Sequence, residues 1–225
     1  MLRHLLGDGN VQSYIVQLLL SLPVCLLALS VHETAHGYVA YKLGDPTARS
    51  MGRLTLNPLK HLDPFGFLSM VLFGFGWAKP VPINTRYFKN PKRDMALTGV
   101  AGPISNLLLA LIFALAMKLF YMGMAYASFP TQTLFLMAMY FYNFLYYGIY
   151  LNVALAIFNL LPVPPMDGSR LLFAALPSHL YFKIMRYEQY IYLGMLVLLF
   201  FGVLTPILNF LTSSVMSLIF TIFAL

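Results

Sequence analysis

The chain has 225 residues, 60% of them hydrophobic and only 9% charged, with a formal net charge of +7. Soluble domains carry roughly 45–50% apolar and about 25% charged residues, so a water-soluble fold is excluded and a membrane protein is expected. The positive charge does not point to nucleic acid, because nine of the 14 Lys and Arg fall between Lys42 and Arg93 and three between Arg170 and Arg186, a loop-specific placement that orients membrane proteins.

An apolar stretch from about Val11 to Leu43 opens the chain and ends at Gly44-Asp45-Pro46, a helix stop signal. It is long enough to span a bilayer. It runs on into charged residues without a cleavage site, so it is read as retained rather than as a signal peptide. The single cysteine, Cys25, lies within it and excludes a disulfide inside the chain. From Ala48 to Asp63 the chain is polar and basic, and Arg53-Leu54-Thr55-Leu56-Asn57 alternates with period two, which predicts a short strand. Pro64 to Trp77 is apolar but too short for an ordinary crossing, so a re-entrant or interfacial segment is expected. The prolines of Trp77 to Asn84 forbid a regular helix there.

Two further full spans are predicted, from about Met95 to Met122 and from about Thr133 to Leu161, the latter stopped by Pro162-Val163-Pro164-Pro165. A short amphipathic helix follows from Asp167 to about Leu176. Apolar runs from about Tyr190 to Leu204 and from Pro206 to Leu225 read as a C-terminal helical hairpin. The fold class expected is therefore an all-α polytopic bundle of about five transmembrane helices, with a re-entrant or β-like segment after the first. Basic loops on the inside place the N-terminus outside and the C-terminus in the cytoplasm.

The chemistry centres on His32-Glu33-Thr34-Ala35-His36 in the first span. Histidines four apart share one helix face, where two imidazoles can hold a tetrahedral zinc while the intervening Glu acts on a water molecule. The pattern alone is common, and two interhelical hydrogen-bonding histidines would also satisfy it. Ionisable residues inside an apolar helix are nevertheless costly and functional by default. A catalytic zinc with two histidines needs a third protein ligand. Of the seven acidic residues (Asp8, Glu33, Asp45, Asp63, Asp94, Asp167 and Glu188), only Asp167 follows a span whose end matches the depth of His32 and His36. Its alternative role is a helix N-cap. Gly168 lets the backbone turn closely beside it. His61 and His179 read as solvated loop histidines, with Asn57, Lys60 and His61 at the mouth of a water channel.

The pairing of His32 to His36 with Asn159-Leu160-Leu161-Pro162-Val163-Pro164-Pro165-Met166-Asp167-Gly168 resembles the site-2 protease family of intramembrane zinc metalloproteases, in its compact bacterial type without PDZ or CBS domains. Ala101-Gly102-Pro103-Ile104-Ser105-Asn106 is similar to a third family motif, and Gly76 to Pro82 to a segment of compact members. The resemblance covers about Leu29 to Leu172. It implies one zinc held by His32, His36 and Asp167, with Glu33 as the catalytic base. Asn159 would contact the substrate or the tetrahedral intermediate; its alternative role is a helix C-terminal residue that satisfies loose carbonyls. Gly102 and Asn106 are expected to serve helix packing. The length and the lack of a low-complexity linker predict a single protease domain over residues 1–225, with a core at about 11–176 and the hairpin at about 186–225. The expected substrates are membrane proteins with a transmembrane helix, cut in or near the bilayer of a bacterial cytoplasmic membrane, with the site near the cytoplasmic side. No nucleic-acid partner is expected, and the sequence leaves the oligomeric state open. The rival readings are an inactive homologue and an ion-coupled transporter using the same buried cluster. The stretches Arg53–Asn57 and Trp77–Asn84 either pair with an unwound substrate strand or merely plug the cytoplasmic side of the zinc cavity.

Overall fold

The structure, a computed structural model, describes residues 11–73, 76–126, 129–177, 180, 183–184 and 186–225. Asp8 and His179 lie outside the described residues. Helix α1 spans Val11–Lys42, 32 residues or about 48 Å at 1.5 Å per residue. It closes in a Schellman turn, in which the Asp45 amide donates to Ala40 O and the Gly44 amide to Tyr41 O, with Gly44 at positive φ. The buried Asp45 carboxylate then accepts from the Thr47 amide and hydroxyl with one oxygen, and from the Asn84 amide with the other. This ties the end of α1 to the loop that precedes the next long helix. A single-turn helix, α2 (Thr47–Ser50), follows.

The strand expected at Arg53–Asn57 does not form, and among the described residues the only β-type contact is an isolated bridge between Leu62 and Ala78. The inward-facing groups of the segment are bonded to side chains instead of to a neighbouring strand. Thr55 O accepts from the Thr34 hydroxyl and from His61 Nε2, each at 2.7 Å. Arg53 is buried and its Nη2 donates to Lys79 O at 2.7 Å and Pro80 O at 3.3 Å. Helix α3 (Pro64–Phe73) has 10 residues, about 15 Å, half the ~30 Å hydrocarbon thickness.

The remaining long helices are α4 (Pro91–Met124), α5 (Gln132–Asn159) and, after the short α6 (Asp167–Ala175) and α7 (Glu188–Phe200), α8 (Thr205–Phe223). Among the described residues four helices (α1, α4, α5 and α8) are long and apolar enough to cross a membrane, while α7 is a shorter apolar helix of 13 residues. Small side chains bring the spans together: Ala110, Ala114 and Met117 of α4 pack on Leu145, Ile149 and Val153 of α5, with Met216 and Ile219 of α8 completing the core.

These contacts also fix directions. His32 of α1 meets Asn106 of α4, and His36, one turn later, meets Thr98, so α1 and α4 are antiparallel. Phe220 packs near Tyr146, and Lys118 Nζ donates to Ala224 O at 2.8 Å. Helix α8 therefore runs parallel to α4, and the C-terminus lies at the end of the bundle opposite His36. The expectation of a C-terminus on the same side as the basic loops is corrected accordingly. The expectation assumed that residues 190–204 make a full crossing, whereas α7 is about 20 Å long at 1.5 Å per residue.

Candidate active site and metal centre

His32 and His36 project from the face of α1 that packs on α4, and both are buried. Asp167 is the first residue of α6, delivered to the same place by residues 160–166. One ligand atom from each of the three lies within 4.8 Å of the others. His32 Nε2 and His36 Nε2 are 3.0 Å apart, and each lies 3.1 Å from Asp167 Oδ2. Asp167 does not cap its helix with its side chain; Met166 holds the N-cap position.

The outer nitrogens decide what the inner ones can do. His36 Nδ1 lies 2.7 Å from Thr98 O, a carbonyl that can only accept. His32 Nδ1 lies 2.6 Å from Asn106 Oδ1. The orientation of that amide is set because Asn106 Nδ2 donates to Ala28 O at 3.1 Å. Both Nδ1 atoms must therefore carry hydrogen, which leaves lone pairs on both Nε2 atoms of the neutral rings. Two lone pairs and a carboxylate oxygen thus converge on one point. A single added proton would satisfy one of these contacts and leave the others facing each other, whereas a cation with nitrogen and oxygen ligands satisfies all three. The donor set fits zinc, which takes His nitrogen and carboxylate oxygen and leaves a fourth position open at catalytic sites.

Neighbouring residues make room for the cluster. A methyl group at Gly102 would sit 2.5 Å from His36 Nε2 and 2.6 Å from His32 Nε2, so the glycine packs α4 against the imidazoles themselves. Gly168 likewise allows α6 to start against Leu160 O, 2.2 Å from where a Cβ would lie. Arg170, one turn along α6, places Nε 3.9 Å from Asp167 Oδ1, the oxygen not shared with the histidines.

Glu33 is half-buried, and its Oε2 accepts from the Val81 amide at 2.8 Å. Prolines 80 and 82 have no amide hydrogen, so Val81 supplies the single donor of that tripeptide. Arg53 holds the carbonyls of the same segment from the other side. Asn159 ends α5 with its Nδ2 donating to Leu155 O at 3.0 Å, the helix-terminal arrangement. His61 is not the solvated loop histidine expected from its polar surroundings. It is 2% exposed, bonded to Thr55 O, and lines a cavity of about 20 Å³ with Ser30 and Trp77.

Residues 20–202 match the model of the family described as "Peptidase family M50". The chain belongs to this peptidase family. Among M50 relatives, "Putative zinc metalloprotease YwhC" of Bacillus subtilis is 43% identical over 204 residues, covering 88% of this chain and 90% of the relative. "Putative zinc metalloprotease Rip2" of Mycolicibacterium smegmatis is 30% identical over 208 residues, covering 88% and 71%. "Putative zinc metalloprotease MJ0611" of Methanocaldococcus jannaschii is 29% identical over 142 residues, covering 63% and 62%. No solved structure matches the chain significantly. The site-2 protease resemblance of the two main motifs thus agrees with the M50 match. The bond from His32 to Asn106, the contact of Arg170 with Asp167 and the bond from Val81 to Glu33 carry no signature in the sequence. The one available hint was an asparagine inside an apolar span, which demands a partner.

Proposed function

We propose that this M50 peptidase is an intramembrane zinc metalloprotease that hydrolyses peptide bonds in or near transmembrane segments of other membrane proteins. The observation that carries the proposal is the convergence of His32 Nε2, His36 Nε2 and Asp167 Oδ2, with both Nδ1 atoms committed elsewhere. His32, His36 and Asp167 would hold one zinc per chain. When bound there, the ion would polarise the scissile carbonyl and bring the pKa of water toward about 7. Glu33, next to His32 on α1, would accept the proton of the attacking water and pass it to the leaving amine. The Val81 amide fixes the carboxylate while leaving its other oxygen for this role. Asn159, with one amide hydrogen on Leu155 O, keeps a second to offer a substrate carbonyl.

The substrate must present an unwound strand, because helical carbonyls are shielded. The segment at Arg53–Asn57 suits such pairing. Thr55 O is turned inward, and among the described residues the backbone amides of Leu54 and Leu56 have no hydrogen-bond partner. The Trp77–Asn84 segment offers less, since Arg53 and Glu33 already use its groups around Val81. The basic loops favour a site near the cytoplasmic face of a bacterial membrane, and on this reading both ends of the described residues would face the other side.

The test compares the wild type with Glu33→Gln in detergent or liposomes, measuring bound zinc and cleavage of a model transmembrane substrate. Zinc in both and cleavage in the wild type alone is the expected result. Equal cleavage refutes the role of Glu33, and a protein without metal refutes the zinc site and favours ion transport.

A further inference from the structure

Asn152 lies on α5, two turns before Asn159, and is wholly buried, as is Asn106 on α4. Its Nδ2 donates to Gly148 O of its own helix at 2.8 Å, which leaves Oδ1 as an acceptor. That oxygen accepts from Asn106 Nδ2 at 2.9 Å. With the Ala28 carbonyl, both amide hydrogens of Asn106 are occupied and its Oδ1 is turned to His32 Nδ1. The donors therefore run in one direction, from Asn152 to Gly148 O, from Asn106 to Asn152, and from His32 to Asn106.

We propose that Asn152 is a positioning residue for the metal ligand His32, acting through the Asn106 amide. The proposal rests on the zinc site described above. Reversing the Asn106 amide would place a donor against His32 Nδ1–H and break two hydrogen bonds. Without Asn152 only the bond to Ala28 O opposes that reversal. Asn152 thereby keeps the Nε2 lone pair of His32 turned toward Asp167. It also links the three spans at one amide: α1 supplies His32 and Ala28, α4 supplies Asn106, and α5 supplies Asn152. A buried asparagine that only joins helices would need none of this directionality.

The test is zinc affinity, read by competition with a chelator on full-length wild type, Asn152→Leu and Asn152→Asp in detergent. A carboxyl at 152, kept neutral by burial, offers an oxygen to Asn106 and a hydroxyl to Gly148 O. Loss of an outer partner of a metal-bound histidine typically weakens the metal about 10–100-fold, so Asn152→Leu should fall by about tenfold and Asn152→Asp should stay within about threefold of wild type. The visible spectrum of the cobalt-loaded Asn152→Leu protein should change, and that of Asn152→Asp should match wild type. Thermal unfolding of each protein reports whether it is folded. Unchanged zinc affinity in folded Asn152→Leu overturns the proposal. Equal loss in both variants assigns Asn152 to packing and also overturns it. A wild type that binds no zinc refutes the site itself, and the proposal falls with it.

Discussion

Gly102→Ala is a demanding test of the metal centre, because it adds one methyl group and removes nothing. That methyl would lie 2.5 Å from His36 Nε2 and 2.6 Å from both Cε1 and Nε2 of His32. Ordinary contact begins at about 3.4 Å for such pairs, so both rings must retreat by close to 1 Å, or α4 must move away from α1. Metal ligands tolerate distance errors of about 0.2 Å. If an apparent binding free energy of roughly 10–16 kcal/mol is shared among three protein ligands, losing the reach of one costs about 4 kcal/mol, or on the order of 10³-fold in affinity. The expected result is a protein that folds, loses zinc to a moderate chelator that leaves the wild type loaded, and does not cleave. The paired control is Gly123→Ala on the same helix, where a Cβ meets nothing within 4 Å. It should retain both zinc and turnover. Stoichiometric zinc and wild-type cleavage in Gly102→Ala would refute the placement of the imidazoles against α4.

Three further outcomes follow from the loops and the helix directions. Leu56→Pro removes one of the open amides at Arg53–Asn57 and should lower cleavage with zinc content unchanged; unchanged turnover would remove this segment from substrate docking. Arg53→Met leaves Lys79 O and Pro80 O without their shared donor, a loss of about 1.5–3 kcal/mol for a charged hydrogen bond. Faster tryptic cleavage after Arg86 and reduced turnover at full zinc occupancy are the expected readouts. In a Cys25→Ser background, single cysteines at Tyr126 and Leu225 should react with an impermeant thiol reagent from one side of the membrane, and one at Ser50 from the other. Labelling of Ser50 and Leu225 from the same side would refute the parallel course of α4 and α8.

The sequence was most legible where one helix carried the signal. His32 and His36 share a face because of the four-residue spacing, and Asp167 could be reached by elimination among seven acidic residues. The structure brings all three together. What stayed hidden depends on how separate helices are placed against each other. Nothing in α4 alone shows that Asn106 faces His32, so its sequence context supports packing only. Local polarity suggests that Arg53 and His61 are solvated, but each is buried beside the segment that folds back along residues 77–81. The period-two pattern at Arg53–Asn57 does not become a strand, because Thr34 and His61 take its inward carbonyl. The C-terminal side was misjudged for a simpler reason: apolar length was counted from composition, and Gly202 ends α7 too early for a full crossing.

His32 and His36 come from α1 and Asp167 from α6, and both of these elements pack on α4. A change in α4 that alters either packing face therefore reaches the ligand set even where it touches no ligand.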